Sequence, residues 1–145
     1  MYFEDFEPGR VLGTPARTVT AKDLDDFLRL SWLDNPIFTS PDGAAAAGHA
    51  GRIVPAPFQL AMAMGLAQQA GIFDHVVAVL EFDRLKFHRV VHPGHTLRLG
   101  ATVLVKRETS QPGRGVVILE YEMKNQEGQT VMTALATYLM RRRED

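Results

Sequence analysis

An α+β fold, with an antiparallel sheet wrapped around one long buried helix, is predicted by three features of the sequence. The chain has 145 residues, which suits one domain with one sizeable core. Residues 57–71 form an apolar segment without any charge, as expected of a helix that is buried on every side. The segments after it alternate apolar and polar residues, which is typical of strands. Residues 1–145 are therefore expected to form a single domain.

The first part of the chain should hold a strand and a helix. Residues 11–19 favour a short strand that Gly13 and Pro15 interrupt. Thr20 then suits a helix N-cap, and Asp23 stands where a capping box places its acidic residue. An amphipathic helix is expected to follow, because apolar residues recur after Thr20 at helical spacing.

Proline and glycine set the limits of the middle of the chain. The first helix should end before Pro36, because the residue before a proline avoids the α region. Residues 35–56 are expected to be a loop, with one helical turn at 44–47. Pro57 suits the first turn of the central helix and Gly71 suits its end.

Four strands are predicted in the second half of the chain. A hairpin connection is expected at 111–115 and a turn at Glu127-Gly128. The strands are expected at residues 76–87, 96–109, 115–126 and 130–142.

Composition narrows the class of protein. There are 16 basic and 17 acidic residues, so no global field favours nucleic acid or a membrane surface as a partner. The chain has no cysteine, which excludes disulfides, thiolate metal sites and thiol catalysis. It also lacks a signal-like N-terminus and an apolar run of membrane-spanning length, so a cytoplasmic protein is expected. Residues 141–143, three arginines, are expected to be a solvated tail.

Several segments, in the same order along the chain, resemble one known family. Together they resemble the MaoC-like dehydratases and (R)-specific enoyl-CoA hydratases, which implies a hotdog fold. The segments are YFEDFEPGRV (2–11), RTVTAKDLDDF (17–27), DNPIFTSPDGAAAAGHAGRIVPAPF (34–58) and LKFHRVVHPGHTL (85–97).

The family motif runs Asp, any residue, Asn, Pro, Leu or Ile, His, and its Asp and His activate a water for addition to an enoyl thioester. Asn35, Pro36 and Ile37 match its centre. The acid and base then fall on Leu33 and Phe38, which cannot carry a proton. The family's later His-Gly falls on residues 55–56, Pro-Ala, where helix-end N–H groups would polarise the thioester carbonyl.

The loop resembles most the non-catalytic half of paired MaoC-like dehydratases, where Tyr or Phe replaces the histidine. That resemblance implies a fatty-acid-type acyl thioester of CoA or of an acyl-carrier protein. It also implies a homodimer, or a heterodimer with a catalytic hotdog chain, and we expect no cofactor. Two other functions remain open, because fold alone does not choose among them. One is acyl-CoA binding or a structural role without turnover, and the other is a hotdog thioesterase.

Two residues are candidates for replacing the missing acid and base. Asp34 lies one place after the expected acid, and its alternative role is a turn carboxylate. His49 lies near the mouth of the expected acyl site, and its alternative role is to line that pocket. His88, His92 and His95 have a spacing that metal ligation allows, but no carboxylate accompanies them, so no metal site is expected.

Substrate-binding candidates come from the loop and the helix that follows it. An acyl tunnel between the central helix and a partner chain is expected to be lined by Phe38, Phe58 and Met62, although ordinary core packing is the alternative. Arg52 and Arg89, like Arg84 and Lys86, are candidates for holding the phosphates of the thioester carrier. The full set of expected substrate-binding residues is Asn35, Phe38, Ala56, Pro57, Phe58, Met62, Arg52 and Arg89.

Overall fold

The computed structural model describes residues 1–144 of the chain. A 3₁₀ turn at Phe3–Asp5 precedes four helices and five strands. Within these residues, no helix has both the length and the apolar character that crossing a membrane requires. In chain order the elements are β1 (Val11–Thr18), α1 (Ala21–Ser31), α2 (Pro36–Thr39), α3 (Pro41–Ala46), α4 (Ala56–Gln69), β2 (Val76–Phe87), β3 (Thr96–Glu108), β4 (Arg114–Lys124) and β5 (Thr130–Arg141).

The five strands form one sheet in the order β1-β3-β4-β5-β2. Every neighbouring pair is antiparallel, as the alternating pattern predicts. The register of β1 shifts between Gly13 and Ala16, where the sequence places its interruption. Strands β1 and β2 are the two edges, so each leaves a row of backbone groups without a partner strand.

The core lies between α4 and one face of the sheet. Alternate residues of the central strands point inward and are fully buried, for example Leu97 and Leu99 in β3. Helix α4 contributes Met62 and Ala63 to the same core cluster. Its other side is open, because Ala61 and Gly65 are exposed. A single chain therefore buries only one side of the central helix, whereas the sequence predicts burial all round.

Helix α1 begins at the predicted capping box. The backbone N–H of Asp23 donates to Thr20 Oγ1 at 3.0 Å, and the backbone N–H of Thr20 donates to Asp23 Oδ2 at 2.9 Å. The helix ends well before Pro36, at Trp32, which adopts the left-handed conformation with φ 60°. The local rules for helix starts and for proline therefore hold here.

The segment expected to be a loop contains two short helices. Asn35 caps α2 and Ser40 caps α3, and each cap is followed by a proline at the first helical position. This pairing of a capping side chain with proline is a known helix start. The expectation of a loop with one turn at 44–47 is therefore wrong, and the two cap-proline pairs are the signal that reveals the helices.

The last arginines pack against the N-terminal turn and do not form a free tail. Arg142 lies 3.2 Å from a Glu4 carboxylate oxygen and 3.0 Å from one of Glu108. Arg143 pairs with Asp5 and lies over the Tyr2 ring, while Arg142 lies over the ring of Phe3. These contacts form a terminal clamp of residues 2–5 and 142–143, and the expectation of a solvated tail is wrong.

Candidate functional site

The signature residues lie at the start of α2. Asn35 Oδ1 accepts the backbone N–H of Ile37 at 3.0 Å, so this side chain is used to begin the helix. Leu33 stands just before the cap and Phe38 stands within the helix. Both side chains are half-buried and pack against the edge of the core. The two positions at which the resemblance predicts the acid and the base therefore hold apolar side chains that pack against the core.

The Arg52 side chain connects α2 to α1. Its Nε donates to the carbonyl oxygen of Phe38 at 2.7 Å, and its Nη2 pairs with the carboxylate of Asp25 in α1. Only 18% of the Arg52 side chain is exposed. The expected role of Arg52 was to hold a phosphate, but in this structure its guanidinium ties α1 to α2. A charge-assisted hydrogen bond of this kind holds the loop in one conformation.

The turn after β2 is attached to the segment that enters α4. His92 Nδ1 lies 2.8 Å from the carbonyl oxygen of Arg52, which can only accept, so Nδ1 carries the hydrogen. The Val54 N–H donates to the carbonyl of Val91 at 2.7 Å. His95 packs edge-on against His92, and burial together with that neighbour lowers the pKa of His95.

The histidines of this region do not share a metal site. His88 Nε2 contacts Thr133 Oγ1 at 2.7 Å, whereas His92 contacts the Arg52 carbonyl. Among residues 1–144, no group of three metal-ligating side chains is gathered around one point.

The start of α4 leaves one backbone donor free. Phe58 and Gln59 both donate their N–H groups to the carbonyl of Pro55, at 2.9 and 3.1 Å. Pro57 has no N–H to give. The N–H of Ala56 therefore remains without an acceptor among the described residues. An unpaired donor at the positive end of a helix favours an oxygen that carries negative charge.

Aromatic stacking holds this helix start in place. The Phe58 ring stacks on Phe27 of α1, with ring centroids 4.5 Å apart and planes 10° from parallel. The stack covers the first turn of α4, and Phe58 is 8% exposed. Phe58 therefore packs between the first turn of α4 and α1, and its role in binding a substrate stays a prediction.

A groove of about 560 Å³ runs between α4 and strand β1. Phe58 and Met62 line it, together with the open side of the helix at Ala61 and Gly65. Phe38 does not line this groove, and the facing wall is β1 of the same chain. Two of the three expected tunnel residues therefore share one cavity.

The two candidates for replacing the acid and the base, Asp34 and His49, lie at opposite ends of the α2–α3 pair. Asp34 is exposed and precedes the α2 cap. His49 is half-buried after α3, and its backbone N–H donates to Ala44 at 3.0 Å. Arg89 is exposed, and its carbonyl accepts a hydrogen bond from Gln59 at 3.3 Å. A catalytic role for Asp34 or His49 stays a prediction.

Sequence reasoning missed two residues of this region. Asp25 is read from the sequence as one acid on an amphipathic helix, and its pairing with Arg52 appears only in the folded chain. Gln59 is the polar residue that interrupts an otherwise apolar helix start, and this interruption is a signal that the sequence contains.

Sequence comparisons match the chain to one family model and to several known proteins. A family model described as "MaoC like domain" matches residues 5–125. Protein MaoC of Klebsiella aerogenes is 36% identical over 110 residues, which cover 74% of this chain and 31% of that protein. Mesaconyl-CoA hydratase of Cereibacter sphaeroides is 27% identical over 147 residues, which cover 99% of this chain and 42% of that protein. The chain thus spans less than half the length of these two relatives.

Solved structures show the same fold. The monoamine oxidase regulatory protein from Archaeoglobus fulgius superposes with a TM-score of 0.89 at 29% identity, covering 99% of this chain and 96% of that one. A Mycobacterium tuberculosis protein described as a double hotdog fold gives 0.89 at 21%, covering 100% and 45%. A chain of the HadBC 3R-hydroxyacyl-ACP dehydratase complex from the same organism gives 0.75 at 25%, covering 91% and 96%. The α+β arrangement is therefore a hotdog fold.

Proposed function

The chain belongs to the MaoC-like domain family, and on that premise we propose that it binds acyl thioesters without hydrating them efficiently. In this proposal it serves as the non-catalytic subunit of a paired hydratase or dehydratase. The observation that carries the proposal is the apolar character of Leu33 and Phe38, which flank an otherwise matching signature. Neither side chain can take or give a proton at the reacting carbons.

The groups that are available to bind a ligand support a role with thioesters. The free N–H of Ala56 lies at the start of a 14-residue helix, where it can donate to a thioester carbonyl. Phe58 and Met62 provide an apolar wall for an acyl chain. Arg52 holds α2 against α1, and Phe27 of α1 stacks on Phe58 of that wall. The chain thus retains groups that bind and orient, while the groups that move protons are replaced.

The relatives indicate what class of ligand to test first. One is named for a CoA thioester, and another is a dehydratase of 3-hydroxyacyl groups on a carrier protein. We therefore propose an acyl thioester as the ligand and a second hotdog chain with an intact Asp and His as the partner. The double hotdog protein and the two-chain complex among the solved structures support such a pairing.

The test separates binding from turnover. Calorimetric titration should detect binding of butyryl-CoA, while crotonyl-CoA hydration by the chain alone should stay at the background rate. Adding a co-encoded hotdog chain that carries the Asp and His should then raise the hydration rate above that of this second chain alone. Absence of butyryl-CoA binding, with or without that chain, would contradict the proposal.

Assembly is a separate expectation, and it rests on the β2 edge. Val77, Val79 and Leu80 are 39%, 41% and 52% exposed on this strand. An edge strand that exposes large apolar residues is suited to pairing with another chain. We expect a dimer joined along β2.

Light scattering after gel filtration should give the mass of a dimer at micromolar concentration. Val79→Lys should shift the protein towards the monomer, because a lysine on an edge strand opposes pairing. The matched control is Val11→Lys on the opposite edge strand, where the wild-type side chain is 67% exposed. A wild-type monomer, or equal effects of the two lysines, would contradict pairing along β2.

A further inference from the structure

Two histidines brace the turn of residues 91–95, which we call the latch turn. The backbone N–H of His92 donates to Nδ1 of His95 at 3.3 Å, and the two rings pack edge-on with their centroids 5.4 Å apart. A ring nitrogen that accepts a hydrogen bond carries no hydrogen, so the folded chain holds the His95 ring neutral. This brace therefore depends on the protonation state of one side chain.

The latch turn holds the segment that leads into α4. His92 Nδ1 donates to the carbonyl oxygen of Arg52 at 2.8 Å, and the N–H of Val54 donates to the carbonyl of Val91 at 2.7 Å. Val54 is buried, and the residue after it is Pro55, the N-cap of α4. These two bonds therefore help to set where α4 begins.

The other side of the latch turn is attached to the end of β1. The N–H of Val19 donates to the carbonyl of His95 at 2.9 Å, and the N–H of Gly94 donates to the carbonyl of Val19 at 2.6 Å. Val19 is fully buried. Because these are backbone bonds, they do not depend on the charge of the His95 ring. Loss of the brace therefore frees the His92 side of the turn while the His95 side stays attached.

The two histidines respond to acid in opposite ways. A proton on His95 Nδ1 removes the acceptor of the brace and points a second donor at the His92 N–H. It also places a positive charge beside the His92 ring. His92 takes a proton at Nε2 instead, because its Nδ1 already carries the hydrogen that bonds Arg52, so that bond survives. His95 is therefore the acid-sensitive member of the pair.

The surroundings of His95 set the direction of the effect. Burial and the neighbouring His92 lower the pKa of His95, and these two causes outweigh Glu127, in the turn between β4 and β5, which raises it. An opened turn exposes the ring to water and returns its pKa towards the ordinary value of about 6.5. The closed turn is therefore fully stable above about pH 6.5 and loses stability as the pH falls through the lowered pKa.

We propose that the latch turn is a pH-sensitive device, in which proton uptake by His95 releases the bonds to Arg52 and Val54. Opening of the turn loosens the segment of residues 52–55, and with it the start of α4 where the Ala56 N–H lies. This inference goes beyond the proposed function, because it concerns a conformational change of the chain itself and involves no ligand.

Hydrogen exchange of single backbone amides, followed by NMR on the full chain from about pH 8 to about pH 5, tests the latch turn. Protection factors correct for the intrinsic pH dependence of exchange. Protection of the Val54 amide should fall below about pH 6.5, by no more than about tenfold per pH unit, which is the limit for one linked proton. The amide of Leu119, a buried residue that pairs with β3 within the sheet, should lose less protection.

His95→Asn removes the titrating group and keeps the brace, because Asn Oδ1 can accept the His92 N–H and takes no proton. In this variant the protection of Val54 should stay constant over the same pH range. His95→Asp is a second variant, since a carboxylate accepts the same bond and stays ionised above about pH 5. The matched control is His88→Asn, an exposed change whose ring contacts Thr133, and it should keep the wild-type pH dependence.

Three outcomes would overturn the proposal. One is a protection of the Val54 amide that does not change with pH in the wild type. Another is an unchanged pH dependence in His95→Asn and His95→Asp, because a different group would then take up the proton. The third is an equal loss at Val54 and Leu119, which would show that acid destabilises the whole fold. The measurements use no ligand, so they leave the proposed function to its own test.

Discussion

Wild-type protein is expected to hydrate crotonyl-CoA about 10²- to 10⁴-fold more slowly than the double variant Leu33→Asp/Phe38→His. The variant places an acid and a base on either side of the Asn35 cap, at the two positions where the resemblance predicts them. Phe38 keeps its place through a backbone bond from Arg52, which the change to histidine leaves intact. The backbone N–H of Ala56, the proposed donor to the thioester carbonyl, is also untouched. Initial rates of loss of the enoyl absorbance measure the effect.

The matched control is Leu33→Asn/Phe38→Gln, which introduces polar groups of similar size that transfer no proton. This control should remain at the wild-type rate, so any gain in the first variant reports proton transfer. A wild-type rate typical of the family would contradict the assignment of Leu33 and Phe38 to the acid and base positions. His49→Ala and Asp34→Ala would then be the first changes to make, and a loss of rate in either would identify the replacement.

Gly43→Ala should destabilise the protein by about 1–3 kcal/mol. A β-carbon at this position of α3 would lie 2.3 Å from the carbonyl oxygen of Pro36 and 2.6 Å from its Cβ. The obstructing atoms belong to the backbone and ring of α2, so they cannot swing aside as a flexible side chain would. Helices α2 and α3 must therefore separate, which also displaces Phe38. Urea unfolding followed by fluorescence measures the loss as a lower midpoint.

Gly65→Ala is the control, because nothing lies within 4 Å of the added carbon on the open side of α4. There the change should stabilise the protein by about 0.5–1 kcal/mol, since alanine restricts the unfolded chain and favours the helix. Equal midpoints for Gly43→Ala and wild type would show that α2 and α3 do not make the close contact described.

Sequence predicts those features of this fold that depend on neighbouring residues. The Thr20 capping box and the strand of residues 76–87 follow from local side-chain chemistry and periodicity, and the structure confirms both. The two short helices after Asn35 also follow from local features, because a capping side chain and a proline begin each of them. The pairing of Asp25 with Arg52 joins residues 27 apart, so no local pattern predicts it.

For the candidate site, too, the sequence predicts some features and not others. The resemblance to the family motif predicts that Leu33 and Phe38 stand at the acid and base positions, and the rate measurements test this. It does not reveal that the Arg52 side chain bonds to Phe38 and Asp25 of the same chain, since the partner of a long side chain depends on tertiary packing. Nor does it reveal how deeply Gln59 is buried, which depends on the segment that follows β2. Roles for Asp34 and His49 remain predictions that the rate measurements test.

The terminal clamp has a topological consequence. Glu4 and Arg142 are 138 residues apart along the chain, yet their side chains touch, so the described ends of the polypeptide lie side by side. A short linker could join these ends, and new ends could be opened at the turn that contains Gly128, between β4 and β5. In such a circular permutant β5 would come first and β4 last, while every strand would keep its neighbours in the sheet. The permutation would change which contacts join residues close together in the sequence, but it would leave the fold the same.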